Sequence, residues 1–291
     1  MKADDHVAVF EELRPRMFGL AYRMLGSVAD AEDLLQEAFL RWQSAEDVRE
    51  PAAFLTTVVT RLSIDHLKSA RARRERYVGP WLPEPLLAEH MPDASEAAEI
   101  SDSLSMAFLM VLESLTPAER AAFLLREVFG YAYSEIAGLL RTNEANIRQL
   151  VHRARQRIGE RRRRFEADAE KQRELLGKFL FAVSTGEVEA LVELLAEDAV
   201  CYTDGGGEVR AARRPIHGPD KIARFLNGVS KGLTPDLESQ VAEVNGALAI
   251  LLRNQKGPWA VITADAAEDK VQTIYILMNP KKLSAINRLD V

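Results

Sequence analysis

Apolar residues in the first 76 positions recur every three or four residues, which is the spacing of amphipathic helices. One such stripe comprises Leu13, Met17, Leu20, Ala21 and Met24. Gly26 is placed to end that helix, Asp30 can cap the next one, and Pro51 has the residue type that opens a third. The pattern therefore predicts a compact all-α unit over residues 1–76.

Prolines interrupt the helical pattern between residues 77 and 102, and helical periodicity returns from 103 to 165. Within this second helical segment, Thr116 followed by Pro117 predicts a helix start. Two shorter helices follow, joined by the polar turn 141–143, in the pattern of a helix–turn–helix. Short polar side chains early in the second helix of such a pair can reach base edges in a DNA major groove. An ordinary helical hairpin with a solvated basic face is the alternative.

The pattern changes again after residue 170, where helical stretches give way to alternating, β-branched runs. The runs AVCYT, AVITADA and VQTIYILM predict strands, and Asn245-Gly246 predicts a tight turn. Residues 170–291 are therefore expected to form a separate α+β domain. The whole chain is predicted to be multidomain, with two all-α units followed by this domain.

Charge is strongly segregated along the chain, although the net value of −6 is acidic. Residues 61–76 carry six Lys or Arg against two acids, and residues 120–169 carry eleven against six. Between them, residues 77–119 contain eight acids and no Lys or Arg. Two basic segments separated by an acidic spacer indicate two surfaces that contact a polyanion, within a chain that otherwise repels it.

Composition excludes several classes of function. The single cysteine, Cys201, rules out an internal disulfide framework and suits a reducing compartment. The five histidines show no metal-ligand spacing, so neither a metal site nor another cofactor is expected. No apolar run is long enough to cross a bilayer, and the N-terminus lacks a secretory signal pattern, so the cytoplasm is the expected location.

The segment DAEDLLQEAF with the basic helix after it, followed later by TPAERAAFLLREVFGYAYSEIAGLL, resembles the sigma-70 family of transcription initiation factors. More narrowly, residues 8–76 and 103–162 resemble an extracytoplasmic-function (ECF) sigma factor, which has only regions 2 and 4 of the family. The resemblance implies region 2 over 1–76, a linker over 77–102 and a helix–turn–helix region 4 over 103–165. It implies core RNA polymerase and promoter DNA as partners, and no enzymatic activity.

The resemblance also implies roles for particular side chains. Asp33, Gln36 and Glu37 match the face of region 2 that docks on the clamp helices of the polymerase β′ subunit. The basic third helix would read and open the −10 promoter element, and its expected phosphate contacts are Arg61, Lys68, Arg71, Arg73 and Arg74. The −35 element would be read by Asn143, Glu144, Asn146, Arg148, Gln149 and Arg153. A plain solvated helix face is the alternative for each set.

The C-terminal domain resembles the SnoaL-like cone-shaped α+β domain that one subgroup of ECF sigma factors carries. That subgroup has a WLPEP linker motif, a DGGGK-like turn and an NPDKL-like tail, which stand here as residues 81–85, 204–208 and 279–283. Glu208 and Lys281 each reverse the charge of the family motif, which puts any electrostatic contact of these positions in question. The residues expected at interdomain contacts are Trp81, Leu82, Pro83, Asp204, Gly205, Gly206, Asn279 and Pro280.

Two functions are open for the C-terminal domain. It can regulate, by setting how freely regions 2 and 4 spread onto polymerase, or it can be an enzyme or small-ligand receptor, since cone folds of this type host isomerases and cyclases. Catalysis would need a carboxylate or histidine base in an apolar pocket, and the available groups are Tyr202, Asp204 and His217. For the whole chain, the alternative is a dimeric DNA-binding regulator that acts without polymerase, but such a protein has no use for a docking helix at 30–42.

Overall fold

The computed structural model describes residues 3–46, 48–74, 77–87, 104–162, 169–230, 236–267 and 269–288. The chain divides into two compact units: the first contains residues 1–75 and 90–160, and the second contains residues 76–89 and 161–291. The linker segment 77–87 therefore belongs to the second unit, although in sequence it lies between the two helical halves of the first. None of the described helices has the length and apolar character needed to cross a membrane.

Three helices form the first half of the first unit: α1 (Ala3–Leu25), α2 (Val28–Gln43) and α3 (Pro51–Arg74). Gly26 follows α1 with a φ of 67°, in the left-handed region that glycine adopts readily at a helix end. Ser27 then caps α2, because its hydroxyl accepts a hydrogen bond from the Asp30 amide at 3.1 Å. The expected cap at Asp30 is therefore wrong by three residues, whereas Pro51 opens α3 as predicted.

Trp42 joins these three helices. It is fully buried in α2, its indole N–H donates to the carbonyl oxygen of His6 in α1 at 2.9 Å, and its ring centroid lies 5.8 Å from that of Phe54 in α3. A buried aromatic ring with a satisfied N–H contributes a large apolar area and leaves no polar group unpaired.

The second half of the first unit contains α4 (Met106–Leu112), α5 (Pro117–Phe123), a π-helical turn (Leu124–Val128), α6 (Tyr133–Leu140) and α7 (Glu144–Arg162). Thr116 caps α5 in a capping box with Glu119, and Pro117 is the first helical residue, as the sequence predicts. The single helix predicted from Pro117 to Phe129 instead changes to the π turn after Phe123.

Helices α6 and α7 form the predicted helix–turn–helix. Arg141 reverses the chain with a φ of 52°, a left-handed conformation that costs a non-glycine residue about 1–2 kcal/mol. Asn143 caps α7, because its Oδ1 accepts the Asn146 amide at 2.8 Å. Ile136 of α6 and Ile147 of α7 are fully buried, and their burial offsets the strain at the turn.

The second unit is an α+β domain. In chain order its elements are α8 (Ala169–Thr185), α9 (Val188–Leu194), β1 (Leu195–Asp204), β2 (Ile216–His217), α10 (Pro219–Ser230), β3 (Glu238–Val244), β4 (Ala247–Asn254), β5 (Gly257–Ala267), β6 (Lys270–Leu277) and α11 (Pro280–Arg288). The strands form one sheet in the order β2-β1-β6-β5-β4-β3, in which β1 and β6 are parallel and the other neighbours antiparallel. Asn245 and Gly246 join β3 to β4 with φ values of 55° and 73°, as the sequence predicts.

One face of this sheet carries the core of the second unit. Cys201 of β1, Ile262 of β5 and Ile274 of β6 belong to a buried apolar cluster with Phe179 of α8 and Ile222 of α10. Side chains alternate between the two faces of a strand, so residues next to these in sequence point to the opposite face. The architecture is the predicted α+β domain, with helices packed against one face of a curved sheet.

Candidate functional site

The polar face of α2 is exposed. Asp33, Gln36 and Glu37 all have exposed side chains, and Glu37 forms an ion pair with Arg41 at 2.9 Å. Leu40 lies on the same helical face and is 60% exposed. A leucine among polar and acidic groups suits a protein partner that offers basic and apolar side chains. The sequence analysis missed Leu40, although its spacing of four residues from Gln36 places it opposite the apolar stripe.

Helix α3 carries the residues expected at the −10 element. The Arg61 guanidinium donates from Nε and Nη2 to the carbonyl oxygen of Leu139 in α6, at 3.1 and 2.9 Å. Partial burial and the neighbouring Arg141 lower the pKa of Arg61 from its ordinary value. Lys68 is exposed and lies 3.1 Å from Asp65. The side chains of three further expected residues lie outside the described part of the chain: Arg71, Arg73 and Arg74.

Polar contacts hold α1 and α3 against the second half of the first unit. The Thr56 hydroxyl of α3 lies 2.9 Å from the Tyr131 hydroxyl, which precedes α6. Arg120 of α5 is buried and donates to the carbonyl oxygen of Met24 in α1 at 2.6 Å. Since Arg61 also bonds to α6, the face of α3 expected to meet the −10 element is partly covered by the helix–turn–helix.

A cleft of about 320 Å³ lies between α3 and the helix–turn–helix. Ile64 and Lys68 line it from α3, and Thr142 and Asn146 line it from the other side. Residues expected at the −10 and −35 elements therefore face the same cleft. A volume in this range accommodates a small molecule but not a DNA duplex, so the two halves must separate before both elements can be read.

The solvent-facing side of α7 is centred on Gln149, His152 and Gln156. All three are exposed, and their spacing of three and four residues places them on one face. Glu144 and Arg148 lie at one edge of that face and form an ion pair at 3.3 Å. The sequence analysis missed His152 and Gln156, which helical spacing from Gln149 could have found.

Arg153 turns back towards the protein. Arg153 and Arg157 pair with Glu119 at 3.4 and 2.5 Å, and Glu119 is only 3% exposed. Burial acts to raise the pKa of Glu119, but hydrogen bonds from Thr116 and the two arginines outweigh it, so the pKa lies below its ordinary value. Arg153 therefore helps to hold α7 against α5, in addition to any contact with DNA.

The linker segment docks on the second unit around Asp204, at the end of β1. The Asp204 carboxylate is fully buried and accepts from the Tyr77 hydroxyl at 2.5 Å, the Leu82 amide at 2.9 Å and Lys282 Nζ at 2.8 Å. Lys282 also donates to the Leu82 carbonyl oxygen, and its Nζ lies 4.1 Å from the centre of the Trp81 ring. A buried carboxylate with a paired lysine and further donors has its charge compensated. We call these five residues the linker clamp.

The glycine turn and the C-terminal motif complete the clamp. Burial and the bond to Asp204 raise the pKa of the Tyr77 hydroxyl far above its ordinary value, so it remains protonated. Tyr77 also accepts a hydrogen bond from Asn279 Nδ2 at 2.8 Å. A Cβ at Gly206 would lie 2.4 Å from Asn279 Nδ2, and one at Gly205 would lie 2.3 Å from a backbone carbonyl oxygen. Both glycines are therefore needed for this close approach.

A second attachment of the linker lies at the β3–β4 turn. The Leu86 amide donates to Asn245 Oδ1 at 3.1 Å, and the Asn245 amide donates to the Leu86 carbonyl oxygen at 2.8 Å. Leu87 forms an antiparallel bridge with Val244, and Pro83 is buried. Pro280, expected at the same contacts, is the first residue of α11. Three residues of the two attachments were missed by the sequence analysis: Tyr77, Asn245 and Lys282.

The two charge-reversed positions face each other. Lys281 Nζ lies 2.7 Å from Glu208 Oε1, and the hydrogen bond with Glu208 raises the pKa of Lys281. Opposite charges are therefore retained with their signs exchanged, and the electrostatic contact that the sequence put in question is present. Because both side chains are largely exposed, the pair contributes little to stability.

The candidate catalytic groups do not lie on the helix-covered face of the sheet. Alternation along β1 and its register with β2 place Tyr202, Asp204 and His217 on the face opposite Cys201 and the core helices. Asp204 is engaged in the linker clamp, and His217 is exposed on a two-residue edge strand. The three groups therefore do not converge in an enclosed apolar pocket.

One unanticipated carboxylate is strongly desolvated. Asp265 of β5 is buried, and burial raises its pKa to about 7, against which a hydrogen bond with Tyr275 acts. The Tyr275 ring stacks on that of Tyr202, with centroids 5.9 Å apart. Within the described residues, no group of three or more His, Cys, Asp or Glu side chains gathers into a potential metal site.

Comparison with known proteins gives matches along nearly the whole chain. The family models Sigma-70 region 2 and Sigma-70, region 4 match residues 9–73 and 105–158. The ECF RNA polymerase sigma factor SigJ of Mycobacterium tuberculosis is 37% identical over 290 residues, covering 96% of this chain and 93% of the relative. The probable ECF RNA polymerase sigma factor SigI of the same species is 31% identical, covering 96% and 95%. The crystal structure of M. tuberculosis SigJ superposes with a TM-score of 0.75 at 33% identity, covering 96% of this chain and 98% of that one.

Proposed function

The chain belongs to the sigma-70 family as an extracytoplasmic-function sigma factor, and from this premise we propose how its parts share the work of transcription initiation. It directs core RNA polymerase to promoters through regions 2 and 4, which together form the first unit. The SnoaL-like domain forms most of the second unit. Since polymerase and promoters are its partners, we place the protein in the cytoplasm.

The exposed face of α2 docks on the clamp helices of the polymerase β′ subunit. Asp33 and Glu37 supply negative charge to a basic partner, Gln36 supplies hydrogen bonds, and Leu40 supplies an apolar contact at the centre. The single observation that carries this assignment is the exposure of Leu40 among polar groups, because a helix face that only meets water has no need of it.

Co-purification with core polymerase and run-off transcription test the function. Leu40→Lys places a positive charge against a basic partner and should weaken core binding at least tenfold. Val7→Lys is the matched control, because Val7 is an exposed apolar residue of α1, and it should bind like the wild type. The proposed function is wrong if the wild-type protein does not give start-site selection to core polymerase that lacks its own specificity subunit.

Helix α3 acts at the −10 element and α7 at the −35 element. Support for this division comes from the basic charge of α3, the capped start of α7 and the exposed face that α7 presents. Arg61 reaches a phosphate only after it leaves the carbonyl oxygen of Leu139. The arrangement described here is therefore the closed state of regions 2 and 4, which opens on the polymerase.

The SnoaL-like domain regulates by holding the linker. Linker residues 77–87 connect region 2 to region 4 in the chain, yet Asp204, Lys282 and Asn245 bind them to the second unit. The same residues cannot also extend along the polymerase. The clamp therefore sets how much linker is free when the two regions separate.

A catalytic role for this domain has little support, because Tyr202, Asp204 and His217 do not converge on its helix-covered face. Asp265 favours a second candidate, a receptor for a small ligand that pairs with a buried carboxylate. Regulation remains the proposed function, since the linker contacts are specific and numerous.

A further inference from the structure

Two arginines meet at the ring of Tyr133, the first residue of α6. The guanidinium carbon of Arg148 in α7 lies 4.3 Å from the ring centre, and that of Arg126 in the π turn lies 4.7 Å from it. A guanidinium within about 6 Å of a tyrosine ring centre is attracted by the electrons of the ring. Neither Tyr133 nor Arg126 has a role in the assignments above.

The π turn brings these groups together. The Phe129 amide donates to the carbonyl oxygen of Leu124, a five-residue step that is rare and occurs often at functional sites. The wider step changes the direction in which the following side chains project. Arg126 then donates to the carbonyl oxygen of Tyr131 at 2.9 Å, and its neighbour Glu127 pairs with Arg155 of α7 at 2.8 Å.

The result is an excess of positive charge along one edge of α7. Arg148 pairs with Glu144 and Arg155 pairs with Glu127, but Arg126 has no carboxylate partner among the described residues. The side chains of Arg148 and Arg155 are 60% and 54% exposed, so they remain available to a ligand.

The position of this edge indicates its ligand. Gln149, His152 and Gln156 occupy the centre of the exposed face, where base edges are read, and Arg148 lies beside them. The sugar–phosphate backbone borders the base edges of a major groove, and arginines at the border of a recognition helix contact phosphates. The ring of Tyr133 holds the guanidinium of Arg148 in place before DNA arrives, which reduces the ordering needed on binding.

We propose that Arg126, Tyr133 and Arg148 form a platform that binds the DNA phosphate backbone beside the −35 element, with Tyr133 as the positioning residue. This platform rests on the proposed function of α7 in reading that element. Arg126 adds a phosphate contact from outside the helix–turn–helix, and Tyr133 acts through the two arginines.

Promoter binding at several salt concentrations tests the platform. The probe is a DNA duplex selected from a randomised library by the wild-type holoenzyme, with its −35 segment either intact or scrambled. Tyr133→Leu and Arg126→Gln should each weaken binding about two- to fivefold, the range of a cation–π contact at an exposed site. Each should also reduce the slope of log affinity against log salt by about 0.9 per lost phosphate. Both effects should be the same on intact and scrambled probes, because phosphate contacts carry no sequence information.

Tyr133→Phe keeps the ring and should behave like the wild type, which a purely structural role of the hydroxyl would not allow. Arg224→Gln removes one exposed charge from α10 of the second unit and should leave the slope unchanged. If Tyr133→Leu fails to fold, Arg126→Gln alone decides the result. An unchanged salt slope in Arg126→Gln, or a loss confined to the intact −35 probe, overturns the platform while the wild-type selection of promoters still supports the function of α7. Failure of the wild type to select any duplex removes both.

Discussion

Replacing Leu82 with alanine should release the linker from the second unit. Leu82 is 0% exposed, but it belongs to the linker and not to the sheet or helices, so the substitution leaves the core of the domain unchanged. Truncation of leucine to alanine at a fully buried site costs about 2–5 kcal/mol. Since 1.4 kcal/mol corresponds to a factor of ten, the docking equilibrium should fall by about 30- to 4,000-fold.

Hydrogen exchange measures the docking directly. The amides of Leu82 and Leu86 donate to Asp204 and Asn245, so both are protected while the linker is bound. In Leu82→Ala both positions should exchange faster, whereas the amides of β5 and β6 should keep their protection. Val78→Ala is the matched control in the same segment, because Val78 is 49% exposed, and it should exchange like the wild type.

Run-off transcription with limiting sigma factor then tests the regulatory role. Leu82→Ala should increase the yield of transcript, because the linker can extend along the polymerase without first leaving the second unit. Faster exchange with unchanged transcription would refute the role of the clamp in regulation. Unchanged exchange would refute the docking argument itself.

Two further substitutions address the closed state and the buried carboxylate. Tyr131→Phe removes the hydroxyl contact with Thr56 and should raise promoter binding by the holoenzyme by about two- to tenfold, since a net hydrogen bond contributes about 0.5–1.5 kcal/mol; Thr57→Val, on the exposed side of α3, should have no effect, and weaker binding by Tyr131→Phe would contradict the closed state. The folded pKa of Asp265 is about 7, above its ordinary value of 3.8, so the folded state binds more protons between these values and its free energy of unfolding falls as the pH rises from about 4 to about 7. Asp265→Asn should remove this fall and unfold at higher urea concentration than the wild type at pH 8, but not at pH 4; an equal difference at both pH values would exclude titration of Asp265 as the cause.

The elements that could be predicted from the sequence are those that short-range rules determine. Thr116 and Pro117 carry the start of α5 in two adjacent residues, and Asn245-Gly246 carries a hairpin turn in the same way. The apolar stripes of α1 and α2 need only a helical period. The missed cap of α2 is also local, because Ser27 and Asp30 are both capping residue types and the sequence does not say which one acts.

Contacts between distant residues could not be predicted in this way. Asp204 reads as a turn residue before glycines, and it does accept from the Gly206 amide at 3.0 Å, but its main partners are Tyr77, Leu82 and Lys282. Nothing in the local pattern connects these positions, which lie more than 70 residues from Asp204.

The charge reversals at Glu208 and Lys281 show the same limit. Each position taken by itself indicates the loss of a contact, and only the pair shows that the contact persists with exchanged signs. A motif compared one residue at a time therefore underestimates how far a compensated substitution preserves an interaction.

The restraints on the closed state and on the linker differ in strength, and this difference decides which of them can regulate. The closed state is held by one neutral hydrogen bond at Tyr131 and one charged donor at Arg61, which together contribute roughly 2–4 kcal/mol. Nanomolar binding to polymerase would supply about 12 kcal/mol, so polymerase can open these contacts without help. The linker is held by buried Leu82 and Leu86 and by donors to the buried Asp204 carboxylate, and each buried leucine alone is worth as much as the contacts of the closed state. The linker clamp therefore persists after regions 2 and 4 have separated, and the SnoaL-like domain acts on the open complex by limiting how far the linker extends.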